Sequence, residues 1–178
     1  MSACAVLLRG INVGRHNRLS MGELRSVLEA VGARAVGTYL QSGNAVVEAE
    51  PNGLAARIED ELRRRLGLEV RVLVRTAAEL GAVVKANPFP GRVATPKQLH
   101  VAFLEAPAPA EVVRAVGTTH GADEYAVGDR VLYLSFAATS HDSPLNEALR
   151  RLGVVMTARN WTTVTRLLEL AEGIAGGP

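Results

Sequence analysis

The chain has 178 residues, 48% of them hydrophobic and 21% charged, with a net charge of +2. That composition supplies a real apolar core and excludes a disordered chain, while the length fits either one large domain or two small ones. No apolar run approaches the roughly 20 residues of a membrane span, and Cys4, the sole cysteine, rules out an internal disulfide and a Cys-rich metal site.

Ala3 to Ile11 is a continuous apolar run and predicts a buried strand. It is short and lacks a basic lead, so no secretory signal is expected and a cytoplasmic location is. After a polar loop, Ser20-Met21-Gly22-Glu23 has the spacing of a capping box, in which the Ser oxygen and the Glu carboxylate satisfy each other's backbone amides. Leu24, Val27, Leu28 and Val31 then form one helical stripe that Gly32 ends. Val36 to Leu40 and Ala45 to Val47 predict two strands joined by the turn Gln41-Ser42-Gly43-Asn44. A helix starting near Pro51-Asn52 carries Leu54, Ile58, Leu62 and Leu66 at four-residue spacing and stops at Gly67. Val70, Val72 and Val74 alternate with Arg71, Leu73 and Arg75, the pattern of a half-buried strand.

Thr76-Ala77-Ala78-Glu79 is a second capping box, opening a helix that Asn87-Pro88 terminates. Four prolines and glycines make residues 88–97 the expected linker between subdomains 1–87 and 98–178. The order then repeats: strand Leu99 to Leu104, helix Pro109 to Val116, strands Tyr125 to Val127 and Val131 to Phe136 around Gly128-Asp129, helix Pro144 to Leu152 capped by Ser143 and closed by Gly153, and strand Val154 to Thr157. A last helix bears Trp161, Val164, Leu167, Leu168 and Ala171 on one stripe, with Asn160 as its N-cap. The expected class is therefore α+β, two tandem ferredoxin-like βαββαβ subdomains with antiparallel sheets and a C-terminal helix. The rival is a single larger α+β sheet. No residue-level repetition links the halves.

Charge is unevenly spread. Residues 1–98 carry +5 and residues 99–178 carry −3. A basic half attracts phosphates or nucleic acid, or docks on the acidic half. The strand order 4-1-3-2 expected of each subdomain gathers the loop Arg9 to Arg18 and the turn Gln41 to Asn44 at one sheet edge. Arg9, Asn12, Arg15, His16, Arg18, Gln41, Ser42 and Asn44 are the resulting anion-binding candidates, with Gly10 and Gly14 letting backbone approach a ligand. The bland alternative is an ordered loop whose amides satisfy backbone groups. A second cluster, Lys97 with Arg159 and Asn160, is expected at the start of the last helix. There the alternative is a structural arginine and a helix cap.

Familiar motifs are missing. The glycines fit neither a Walker A loop nor a dinucleotide fingerprint. Phe103, Tyr133 and Phe136 lie on expected central strands, but in the acidic half and without an RNA-binding pattern, so nucleic acid is a weakly supported partner. His16, His100, His120 and His141 lack metal-ligand spacing, so no metal or cofactor is implied. His16 is the best general acid or base, and Ser42 the nearest hydroxyl, without forming a dyad.

The blocks Leu7-Leu8-Arg9-Gly10-Ile11-Asn12-Val13-Gly14, Met21-Gly22-Glu23-Leu24-Arg25, Tyr39-Leu40-Gln41-Ser42-Gly43-Asn44 and Arg159-Asn160-Trp161-Thr162-Thr163-Val164 resemble a bacterial family, domain-of-unknown-function family sixteen-ninety-seven. The resemblance implies tandem ferredoxin-like subdomains over essentially the whole chain and brings no activity, substrate or catalytic residue with it. Arg15 departs from the family's usual second glycine after Gly14, which adds charge and removes flexibility. Three readings follow: a module binding a small phosphate-like or nucleotide-like anion, a protein-interaction or structural module whose partner is unknown, and a small-molecule hydrolase or transferase. The first is preferred.

Overall fold

A computed structural model of the chain describes residues 1–14, 17–110, 113–114, 121–140, 143–151 and 155–176. The opening strand β1 (Ser2–Leu8) reads as an unbroken apolar run because both its faces are buried: every side chain from Ala3 to Leu8 is shielded from water. Helix α1 (Met21–Ala30) begins on the expected capping box. The Ser20 amide donates to the Glu23 carboxylate at 2.9 Å and the Glu23 amide to Ser20 Oγ at 3.2 Å. Strands β2 (Arg34–Tyr39) and β3 (Asn44–Ala49) form the hairpin, and α2 (Leu54–Leu66) ends on Gly67 in the left-handed conformation. Strand β4 (Val72–Thr76) runs straight into α3 (Ala77–Lys85), whose Thr76 and Glu79 exchange capping hydrogen bonds of 2.7 and 3.2 Å.

After a 3-10 turn at Pro90–Arg92 come β5 (Leu99–Leu104), β6 (Glu124–Gly128), β7 (Val131–Ser135), α4 (Pro144–Arg151), β8 (Met156–Asn160) and α5 (Trp161–Ala175). The helix expected from Pro109 to Val116 and the stop at Gly153 fall mainly outside the described residues. The class is α+β, with two four-stranded antiparallel sheets and five described α-helices, the last C-terminal. Strand orders are β2-β3-β1-β4 and β6-β7-β5-β8, the arrangement the sequence leads one to expect.

The chain divides into two compact units, Met1–Ala82 with Thr165–Pro178, and Val83–Val164. Residues 88–97 thus lie within the second unit, whose sequence span ends inside α5. In the first unit Cys4, Val6 and Leu8 join Ala45, Val47 and Val72 beneath Leu24, Leu28, Ile58 and Leu62 of α1 and α2. Its opposite sheet face is closed too, with Ala5, Leu7, Leu73 and Arg75 all buried. The alternation along β4 therefore marks two buried faces, one of them holding an arginine. In the second unit Ala102, Leu104, Leu132, Leu134 and Phe136 pack with Leu145 and Leu149 of α4.

Candidate functional site

Antiparallel pairing of β1 with both β3 and β4 brings three chain segments to one sheet edge. Leu8 N donates to Gly43 O at 2.8 Å and Arg9 N to Arg71 O at 2.9 Å. The loop leaving β1 turns through left-handed residues, Gly10, Asn12, Gly14 and Asn17. Asn12 holds it in place: its Nδ2 donates to Leu19 O and to Gln41 O, each at 2.8 Å, while its Oδ1 accepts from Leu19 N at 3.0 Å. One amide side chain thereby ties the loop to the entrance of α1 and to the β2–β3 turn. Asn17 adds a bond across the loop, Nδ2 to Gly10 O at 3.2 Å.

The turn is built to meet that loop. Asn44 is fully buried, and its Nδ2 donates to Tyr39 O and Ser42 Oγ, both at 3.0 Å. Gly43 has φ +81°, and a Cβ there would lie 2.8 Å from Ile11 and 2.9 Å from Leu8 Cβ. Only glycine allows so close an approach in that conformation.

Charge converges on the same edge. Many arginines of the first unit are engaged elsewhere. Arg63 pairs with Asp60 and Arg64 with Glu61, each at 2.7 Å, Arg65 also pairs with Glu61, and Arg57 Nη1 donates to Asn52 O at 2.9 Å. Arg9 and Arg18 are exposed, as are Gln41 and Ser42. No carboxylate occurs between Arg9 and Arg18 or between Leu40 and Asn44. Arg15 and His16 lie outside the described residues. Of the candidates, then, Asn12 and Asn44 serve as braces, while Arg9, Arg18, Gln41 and Ser42 face solvent. Sequence reasoning passed over Arg71, whose carbonyl faces the Arg9 amide and whose guanidinium is 3.4 Å from Glu59. Its place follows from the β1–β4 register, which carries no local signal.

The second cluster is arranged differently. Pairing of His100 with Asn160 sets the end of β8 beside the start of β5. Asn160 Oδ1 accepts from Thr163 N at 2.9 Å and so caps α5. Arg159 is buried, its Nη1 donating to Thr157 Oγ1 at 2.7 Å and to Ala158 O at 2.9 Å, and burial lowers its pKa to about 10. Lys97 is exposed. His100 lies edge-on to Phe136, ring centroids 5.2 Å apart, with Nδ1 buried and unpartnered, and burial pushes its pKa down to about 4.

A cavity of about 400 Å³ opens between Gly121, Ala122, Ala137, Ala138, Thr139 and Pro144. Among its described lining residues the one carboxylate, Asp123, accepts from Ala137 N at 2.8 Å and from Ser143 Oγ at 2.6 Å, and Ser143 in turn accepts from Asn146 N at 3.0 Å. These bonds fasten the start of α4. Among the described residues no group of three or more His, Cys, Asp or Glu is placed to hold a metal ion, and no helix is long and apolar enough to cross a membrane.

The model of a family described as protein of unknown function (DUF1697) matches residues 1–133, which include both segments of the basic edge. The chain belongs to this family. A search of curated proteins gives no match. Among solved structures, this DUF1697 chain is similar to a conserved bacterial protein from Streptococcus pneumoniae, at TM-score 0.77 and 20% identity over 97% of this chain and 99% of that one. At that identity the likeness carries the fold alone.

Proposed function

We propose that the protein is a cytoplasmic binding module, built of two ferredoxin-like subdomains, that takes a small phosphate-like anion at the sheet edge formed by the Arg9–Arg18 loop and the Gln41–Asn44 turn. The observation that carries this reading is a braced edge whose two loops, Arg9–Arg18 and Leu40–Asn44, contain no carboxylate. Asn12 and Asn44 spend their donors holding its shape, Asn44 in part on Ser42 Oγ, while the exposed guanidinium groups of Arg9 and Arg18 and the exposed Gln41 side chain stand at its surface. Segments already held in shape by these amides lose little freedom on binding. The ferredoxin-like assignment is supported by the strand order of both sheets and by the βαββαβ order of the first.

Charge-assisted hydrogen bonds contribute roughly 1.5 to 3 kcal/mol each, so Arg9→Gln or Arg18→Gln weakens phosphate binding about tenfold or more. Added salt weakens it as well, because exposed charges are screened beyond about 8 to 10 Å at physiological ionic strength. Calorimetric titration with phosphate, nucleotides and short oligonucleotides reads both effects. Equal heats for wild type and variants, or none at all, refute the reading.

A further inference from the structure

Among the described residues five large apolar side chains are exposed: Met1, Val13, Leu40, Val93 and Val127. Scattered singly, such residues need no explanation. Two of them, however, flank a single hydrogen bond. Val13, 67% exposed, follows Asn12, and Leu40, 53% exposed, precedes Gln41, whose carbonyl accepts from Asn12 Nδ2 at 2.8 Å. The apolar pair thus borders the same braced edge that carries Arg9 and Arg18.

Leu40 is also in the wrong conformation for its type. Its φ is +57°, a region that Gly or Asn enters readily and leucine rarely. The turn itself places Gly43 at φ +81°, so the chain uses glycine where contact with Ile11 demands it and leucine where the side chain meets water.

We infer that the ligand is an amphipathic anion, a phosphate or similar group joined directly to an apolar or planar moiety that covers Val13 and Leu40. The inference rests on the anion-binding reading above and narrows its ligand class. The arginines hold the charged group, and the flanking leucine and valine shed water against the apolar part. Burial of one aromatic face is sufficient to tighten binding about tenfold.

The test is a calorimetric comparison of inorganic phosphate, phenyl phosphate and phenol on the intact chain. Phenyl phosphate should bind about tenfold tighter than phosphate, and phenol should not bind measurably. In Leu40→Asn, which removes the apolar side chain and suits the left-handed turn, and in Val13→Ser, the ratio of the two affinities should fall to within about twofold of one. An unchanged ratio in both variants, or equal affinities in the wild type, overturns the inference and leaves the anion site standing. Binding of phenyl phosphate that Arg18→Gln leaves intact, or binding of neither anion, overturns the anion reading itself.

Discussion

The two units share a framework and differ at one edge. In the first, Leu8 N donates to Gly43 O at 2.8 Å; in the second, Leu104 N donates to Arg130 O at 2.9 Å. Ala5 faces Arg75 across β1 and β4, and Val101 faces Arg159 across β5 and β8. Both arginines are buried and both donate to the carbonyl of the preceding residue, at 2.8 and 2.9 Å. In each unit the next residue caps a helix, Thr76 for α3 and Asn160 for α5. Yet the segment after β1 is the long cationic loop from Arg9, whereas the segment after β5 begins Glu105-Ala106-Pro107-Ala108-Pro109. A common sheet fixes where an edge lies, and the loops decide what chemistry stands there.

The largest expected effect lies where the frameworks diverge most in volume. The first helical residue after the fourth strand is Ala77 in one unit and Trp161, 6% exposed, in the other. Trp161→Ala makes the positions alike and should cost about 3 to 5 kcal/mol, read from a denaturant midpoint. Next comes the turn. Gly43→Ala adds a Cβ 2.8 Å from Ile11 at φ +81° and should cost about 2 to 4 kcal/mol. Its counterpart Arg130 is already a side-chain-bearing residue at φ +51°, and Arg130→Gly should change stability by no more than about 1 kcal/mol. Equal effects at the two turns would contradict the claim that the first turn is packed tightly against Ile11 and Leu8.

Acid should separate the units as well. Cys4 pairs with Thr76 where His100 pairs with Asn160, so one register position holds a thiol in the first sheet and an imidazole in the second. Burial raises the thiol pKa and lowers that of His100 from 6.5 to about 4. Between those two values the unfolded chain binds a proton at His100 and the native chain does not, so stability is full above pH 6.5 and falls as pH drops toward 4. The loss should approach about 3 kcal/mol. His100→Cys, which copies the first unit, should flatten this acid limb whatever its own effect on stability; an unchanged slope would remove His100 as the cause.

Local signals made much of this fold legible. Ser20 with Glu23 and Thr76 with Glu79 mark helix starts by hydrogen bonds that close within four residues, and the gathering of the Arg9 loop with the Gln41 turn follows from strand order. What the sequence hides is long-range. The equivalence of Arg75 and Arg159 appears only through their partners on β1 and β5, because the flanking residues differ. The β4 alternation looks like a half-buried strand, since nothing near Leu73 and Arg75 announces that their face is covered. Likewise the amides of Asn12 and Asn44 look like ligand donors until their carbonyl partners, Gln41 and Tyr39, are known.

The smallest effect is expected at the second cluster, and it sharpens the contrast most. There the polar groups are already committed: Asn160 caps α5 through Thr163 N, and the Arg159 guanidinium is bonded to Thr157 and Ala158. Lys97 alone is exposed, and a single solvated ammonium contributes at most about 1 kcal/mol to an ion contact, less in salt. Lys97→Gln should therefore alter phosphate affinity by no more than about fivefold, beside the tenfold or greater loss for Arg18→Gln at the first edge. If Lys97→Gln instead matched Arg18→Gln, the anion would be using the second unit, and the asymmetry between the two edges would have to be argued from something other than their loops.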